Sequence, residues 1–165
     1  MFQLIDNFTL FHFRFIQNNT EDDERFWTHS IDTPAHNAWC GLAFERVCFA
    51  HIDQIRRALG IEGIASNVYA WRVEDDPELG PGAQIDMLID RADQVVNICE
   101  MKFSSGEYRM DKEEALKLQN KKRRFAEATQ NRKALHLTII STYGMVHNTY
   151  WNDIQKEVTA DDLFL

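Results

Sequence analysis

Four positions near the middle of the chain carry the side chains best suited to chemistry: Asp86 and the run Glu100-Met101-Lys102. In a β-strand Glu100 and Lys102 project from the same face, and Met101 points the other way. If a preceding strand pairs with this one, the Asp86 carboxylate reaches the same point. Two converging carboxylates bind a hard divalent cation such as Mg²⁺. An adjacent lysine can orient a metal-bound water or stabilise negative charge developing on a phosphorus centre.

A helix is predicted ahead of these residues. Apolar residues recur at helical spacing from Phe44 to Leu59, with Asn37 as the candidate N-terminal cap and Gly60 as the stop. Glu45 lies on this helix, with apolar residues three and four positions away. Because an unpaired charge is costly in apolar surroundings, Glu45 is predicted either to pair with a neighbouring arginine or to belong to a charged site.

The remaining pattern predicts four strands and a second helix. The strands are expected at residues 64–73, 84–90, 94–103 and 134–141, and the helix at 112–129. The second and third strands form a hairpin whose turn lies at residues 91–93, and residues 95–99 are apolar enough for a strand buried on both faces. The order α-β-β-β-α-β predicts an α/β fold with a central mixed sheet flanked by helices.

Charge is distributed unevenly along the chain. The net charge is -8, which makes binding of nucleic acid through bulk positive charge unfavourable. Residues 102–133, however, hold ten Lys or Arg against five Asp or Glu, and the rest of the chain holds eight against twenty-one. Candidate phosphate contacts on the second helix are Lys117, Lys121, Lys122, Arg123 and Arg124. Lys121 is spaced to face the sheet, and the alternative for the whole run is a solvated helix face.

Cysteine content and hydropathy indicate the cellular compartment in which the protein is found. The three cysteines form no C-x-x-C pair, so neither a disulfide framework nor a thiolate zinc site is predicted. No apolar run approaches the roughly 18 residues of a membrane span, and the first residues lack the basic region of a secretory signal. We therefore expect a cytoplasmic protein without membrane contact.

The opening segment is unusually aromatic, with five phenylalanines between Phe2 and Ile16, and an acidic loop follows it. We expect residues 1–36 to form a connector packed on the core of a domain spanning residues 37–165. The alternative is that the aromatic segment docks against an upstream domain or a second copy of the chain.

The charged residues resemble a known active-site motif. Asp86 and Glu100-Met101-Lys102, with Glu45 on the preceding helix, resemble the motif of the restriction-endonuclease-like PD-(D/E)xK nuclease superfamily. More narrowly, four segments resemble the C-terminal nuclease-like domain of predicted prokaryotic AAA-type ATPases. They are Gly41-Leu-Ala-Phe-Glu45, Gly82-Ala-Gln-Ile-Asp86, Cys99-Glu-Met-Lys-Phe103 and Thr142-Tyr-Gly144. The likeness covers nearly the whole chain, although Ile85 replaces the usual proline and no ATP-binding G-x-x-x-x-G-K-[ST] motif occurs.

This resemblance implies a restriction-endonuclease-like core that hydrolyses DNA phosphodiester bonds with Mg²⁺ or Mn²⁺. The implied metal ligands are Asp86, Glu100, the Met101 backbone carbonyl and Glu45, and Lys102 positions the attacking water. An upstream AAA-type ATPase domain is the implied partner. The alternative is a non-catalytic DNA-binding or oligomerisation module of that ATPase. The simplest structural alternative is a cross-strand salt bridge on an exposed sheet.

Overall fold

The computed structural model describes residues 5–17, 19 and 23–165. The chain divides into two compact units, residues 1–50 and residues 51–165. Phe2 and most of the predicted acidic loop lie outside the described residues. The expected domain boundary between residues 36 and 37 falls inside a helix, and the packing of residues 1–36 on the core stays a prediction.

The first unit is helical. Its elements are α1 (Asn7–Phe11), a π-helical turn (His12–Ile16), α2 (Phe26–His29) and α3 (Pro34–Ala50). The rings of Phe11 and Phe15 pack against Trp27 and Trp39, with centroids 4.8 to 5.6 Å apart. Part of the aromatic opening segment is therefore covered within this unit, whereas the side chains of Phe8 and Phe13 are exposed.

The first predicted helix differs from expectation at its start and in its middle. It begins at Pro34, whose missing N–H suits the first helical position, and Thr33 Oγ1 accepts the His36 N–H at 3.3 Å. The prediction that Asn37 caps it was wrong, because Asn37 lies within the first turn. The helix also breaks at His51, with φ of -118° and ψ of 34°. The predicted stop is confirmed: Gly60, at φ 70°, follows the last helical turn.

The second unit holds α4 (Ile52–Ala58) and the sheet. Its later elements are β1 (Ser66–Val73), β2 (Ala83–Arg91), β3 (Val95–Lys102), α5 (Lys112–Thr129), β4 (Ala134–Ser141) and β5 (Lys156–Thr159), with short 3₁₀ helices at Thr149–Asp153 and Asp161–Phe164. The strands lie in the order β1-β2-β3-β4-β5. The pairs β1–β2 and β2–β3 are antiparallel, and the pairs β3–β4 and β4–β5 are parallel. The α/β class, the mixed sheet and the predicted order of elements are confirmed.

Strand β3 is the centre of this unit. Its residues from Val96 to Met101 are all buried, as the apolar run predicted. Helix α5 packs on one face through Leu118 and Phe125. A capping box fixes its start: the Asp111 side chain accepts the Glu114 N–H, and the Glu114 side chain accepts the Asp111 N–H. The sheet and α5 thus form a rigid support for charged side chains at the end of β3.

Strand β2 contains a β-bulge at Asp86, one of the candidate site residues. The β1–β2 register changes between the pairs Tyr69↔Leu88 and Trp71↔Ile85, so Asp86 and Met87 together lie opposite a single residue. A bulge bends its strand and redirects a side chain. The pairing of β2 with β3 accordingly has its last pair at Met87↔Cys99, and Asp86 lies just beyond it.

Candidate active site

Asp86 and Glu100 meet where β2 and β3 separate. Asp86 Oδ2 accepts the backbone N–H of Met101 at 3.1 Å, so a side chain replaces the next ladder hydrogen bond. The N–H and C=O of a strand residue point to the same side, so the Met101 carbonyl faces β2 as well. Glu100 is 8% exposed and projects from the face that α5 covers.

Two ammonium groups hold the Glu100 carboxylate. Lys102 Nζ lies 3.0 Å from Glu100 Oε1, which confirms that these two side chains share a face of β3. Lys121 Nζ donates to Glu100 Oε2 at 2.5 Å. The prediction that Lys121 faces the sheet is therefore confirmed, because the neighbouring residues Leu118 and Phe125 bury the same face of α5.

The pKa shifts reflect this crowding of charge. Burial, and then the negative charge of Glu100, raise the pKa of Asp86, although Lys121 and the Met101 N–H act in the opposite direction. Burial of Lys102 opposes its positive charge, yet the charge and hydrogen bond of Glu100 outweigh it and the pKa of Lys102 is raised. Asp86 is thus a carboxylate that gains from a nearby cation, and Lys102 stays an ammonium.

Glu114 was missed by sequence reasoning, and Tyr108, which could stack on a base or serve in packing, was not assigned to the site. Together with Glu100, Lys102 and Lys121 they line a cavity of about 130 Å³ beside β3. Burial, and then the charge of Glu114, raise the pKa of Tyr108. A parallel bridge between Tyr108 and Met145, a long-range contact, holds the tyrosine beside the site.

A second, open groove of about 700 Å³ leads to Asp86 from the other side of Lys121. It runs between the start of β2, including Gln84, and the α5 residues Lys117 and Asn120. Lys121 borders both hollows, and its ammonium contacts Glu100 in the smaller of the two.

The donor set fits a hard divalent cation. Asp86 and Glu100 supply carboxylate oxygens, the charge of Glu100 helps to raise the pKa of Asp86, and the Met101 carbonyl faces the same gap. In the described part of the chain, no group of three or more His, Cys, Asp or Glu side chains is placed to hold a metal. Two carboxylates suffice for Mg²⁺, which keeps several waters and takes further oxygens from a phosphate.

Glu45 lies on α3, in the first unit, and is half-buried. The residues that share the site just described all belong to the second unit. The role of Glu45 as a metal ligand stays a prediction.

The basic residues of α5 do not act as one group. Lys117 and Arg123 are exposed and pair with Glu113 and Glu127 one turn away. Lys122 is half-buried on the same helix. Their contact with nucleic acid stays a prediction.

Arg124 departs from its predicted role. Its side chain is 1% exposed, and it donates to the carbonyl oxygens of Pro81 and Glu74 at 3.2 Å each. A buried guanidinium cannot reach a phosphate on the protein surface. Arg124 instead fixes the loop between β1 and β2 onto α5, which Arg123 also supports through the Leu79 carbonyl.

Comparison with known proteins adds little to this picture. No protein-family model and no curated protein matches the chain. A crystal structure of a protein of unknown function, AF1548, aligns over 68% of this chain and 56% of its own, with 14% identity and a TM-score of 0.46. Neither a family nor a function follows from a likeness at this level. Within the described residues, no helix has both the length and the apolar character needed to cross a membrane.

Proposed function

We propose that the second unit is a PD-(D/E)xK-type nuclease domain that hydrolyses DNA phosphodiester bonds with Mg²⁺ or Mn²⁺. One observation carries the proposal: the carboxylates of Asp86 and Glu100 converge at the parting of two strands, with Lys102 3.0 Å from Glu100. An exposed salt bridge is a poorer explanation, because Glu100 is 8% exposed and two lysines compete for it.

Each residue has a part that follows from its placement. Asp86, Glu100 and the Met101 carbonyl hold the cation, and Glu45 is the further candidate ligand. When bound, the cation lowers the pKa of a coordinated water and polarises the phosphate. Lys102, kept protonated by Glu100, orients the attacking water and offsets the negative charge that builds up on the phosphate oxygens.

The groove beside Asp86 gives the DNA backbone access to the site. It is lined on one side by Lys117 and Lys121 and on the other by the start of β2. Contacts from Lys117, Lys122 and Arg123 supply a local attraction to phosphates in a chain whose net charge is -8. Binding of a duplex is therefore weak and strongly salt-dependent.

The wider setting belongs to the same proposal and rests on the sequence resemblance. The domain is the C-terminal part of a cytoplasmic AAA-type ATPase whose upstream domain is absent from this chain. DNA and that ATPase domain are its partners. Its own sequence holds no G-x-x-x-x-G-K-[ST] motif for ATP binding, and we assign its chemistry to the carboxylate site.

A non-catalytic DNA-binding or oligomerisation module of that ATPase is the second candidate. The observation that favours it is the pairing of both Glu100 oxygens with lysines, which leaves no carboxylate oxygen of Glu100 free of a cation. In this case the cluster is a structural ion-pair network, and DNA binds without being cut.

A cleavage assay separates the two candidates. The full chain is incubated with supercoiled and linear DNA at low ionic strength with Mn²⁺ or Mg²⁺, beside Glu100→Gln and Lys102→Met. Lys112→Met, which removes an exposed charge on α5, is the matched control. A nuclease loses about 100-fold or more in rate in both site variants and little in the control. Equal cleavage by the site variants and the wild type would reject the mechanism.

A further inference from the structure

We propose that Lys121 is a gate on the carboxylate site. Its ammonium holds Glu100 while the groove is empty and moves to a phosphate when a polyanion enters, so that divalent cation and phosphate bind cooperatively. This inference rests on the proposed function and adds an order and a coupling to it.

The gate follows first from how Glu100 is held. Its two oxygens are divided between Lys102 and Lys121, at 3.0 and 2.5 Å. A cation bound at Glu100 would lie close to both ammonium groups, and like charges at short range in a partly buried site repel strongly. Lys102 shares strand β3 with Glu100 and has a part in the reaction. Lys121 reaches the same carboxylate from a different element, helix α5.

The Lys121 side chain also has open space into which it can move. It lines the 130 Å³ cavity that contains Glu100 and the open groove that contains Asp86. A lysine carries its charge on a flexible stem of four carbons. A change of rotamer therefore transfers the ammonium from Glu100 to the groove without moving α5, whose capping box and buried Leu118 keep it in place.

Charge balance makes the two binding events depend on each other. Asp86 and Glu100 cancel Lys102 and Lys121, so the cluster is neutral as it stands. A divalent cation alone leaves it with a net charge of about +2, and phosphate oxygens in the groove reduce that charge. Each ligand therefore raises the affinity of the other by the same factor, as linkage requires.

Titration of the metal alone gives the first test. Mn²⁺ is titrated calorimetrically into the full chain at low ionic strength, without nucleic acid, for the wild type, Lys121→Met, Lys121→Gln, Lys112→Met and Asp86→Ala. Both Lys121 variants should bind Mn²⁺ about tenfold more tightly than the wild type, because one repelling charge is gone. Lys112→Met should match the wild type, and Asp86→Ala should not bind. The two Lys121 variants together guard against a folding defect in one of them.

Fluorescence anisotropy gives the second test, with a labelled phosphorothioate DNA duplex, which resists cleavage. Mn²⁺ should strengthen duplex binding by the wild type and by Lys112→Met, and the enhancement should disappear in Lys121→Met. If the wild type binds Mn²⁺ through Asp86 but Lys121→Met shows the same affinity and the same enhancement, the gate is rejected and the nuclease proposal stands. If no variant binds Mn²⁺ with or without DNA, both are rejected.

Discussion

The Asp86 carboxylate occupies the place of a strand partner for Met101. Its Oδ2 accepts the Met101 N–H at 3.1 Å, directly beyond the last paired residues of β2 and β3. The bulge at Asp86 and Met87 is what brings the side chain there. The group that we assign to the metal therefore also closes the gap between two strands, and its charge state affects the stability of the fold.

Replacing Asp86 with asparagine should stabilise the protein at neutral pH. Burial and Glu100 raise the pKa of Asp86, so the folded state binds this proton more tightly than the unfolded chain does. The stability from Asp86 is then full below its unfolded pKa and is lost as the pH rises through its raised folded pKa. Asp86→Asn avoids that loss and should raise the free energy of unfolding at pH 7 by about 1 kcal/mol. Urea unfolding measures it, and the gain should vanish near pH 3.

Asp93 supplies the control of opposite sign. Its side-chain hydrogen bond with Arg91 lowers the pKa of this exposed carboxylate. The contribution of Asp93 to the stability of the protein is present above its unfolded-state pKa and is lost as the pH falls through its folded-state pKa. Asp93→Asn should thus lower the free energy of unfolding at neutral pH and leave it equal to that of the wild type in acid. If Asp86→Asn behaved like Asp93→Asn, our description of Asp86 would be incorrect.

Removing the charge of Glu100 should lower the pKa of Lys102. Glu100 is the main group that opposes the effect of burial on this lysine, so in Glu100→Gln only the charges of Glu114 and Asp86 still oppose it. The variant leaves two part-buried ammonium groups without their counter-ion and should lose about 2 kcal/mol of unfolding free energy at pH 7. Chemical shifts of the lysine ε-groups follow the titration. In a double-mutant cycle, Lys102→Met should cost less in Glu100→Gln than in the wild type. Additive losses would show that the pair contributes nothing.

The sequence predicted the framework of the site better than its details. The apolar run before Glu100 and the two-residue spacing to Lys102 identified a buried strand with both charges on one face, and both were confirmed. These features are local, so periodicity reveals them. The bulge at Asp86 and the arrival of Tyr108 depend on pairing between distant segments, which no local pattern encodes.

Arg124 is a second residue whose role could not be predicted from the local sequence. A run of basic residues on a helix is normally a solvated surface, and among positions 121 to 124 the spacing distinguished only Lys121. Helical geometry nevertheless turns Lys121 toward Glu100 and Arg124 toward the β1–β2 loop, while Arg123 stays exposed. Which loop meets a helix face is settled by the tertiary fold, and with it the role of each residue.

Arg124 should therefore matter for stability, and Arg123 for DNA. Arg124→Met leaves the carbonyl oxygens of Pro81 and Glu74 without their buried donor, at a cost of about 2 to 3 kcal/mol. Arg123→Met should change the unfolding free energy by at most about 0.5 kcal/mol. In DNA binding the order reverses: Arg123→Met should reduce the slope of log affinity against log salt by about 0.9, and Arg124→Met should leave it unchanged. Equal slopes for both variants would contradict this assignment.

Gly82 should tolerate a side chain poorly. A Cβ at this position would lie 2.7 Å from the Val73 carbonyl oxygen and 3.1 Å from the Asp75 nitrogen. Both are backbone atoms, which cannot rotate away as a side chain could, so the start of β2 must shift. Asp86 lies only four residues further along this strand. Gly82→Ala should lower the unfolding free energy by about 2 kcal/mol and weaken Mn²⁺ binding.

The control is Gly106→Ala, where nothing lies within 4 Å of the added Cβ. It should change the unfolding free energy by less than about 0.5 kcal/mol and leave the Mn²⁺ titration as in the wild type. Thermal unfolding and calorimetric titration are measured on both variants. If Gly82→Ala lost stability but kept the wild-type Mn²⁺ affinity, the position of Asp86 would not depend on the way the chain enters β2. The bulge alone would then hold the carboxylate in place.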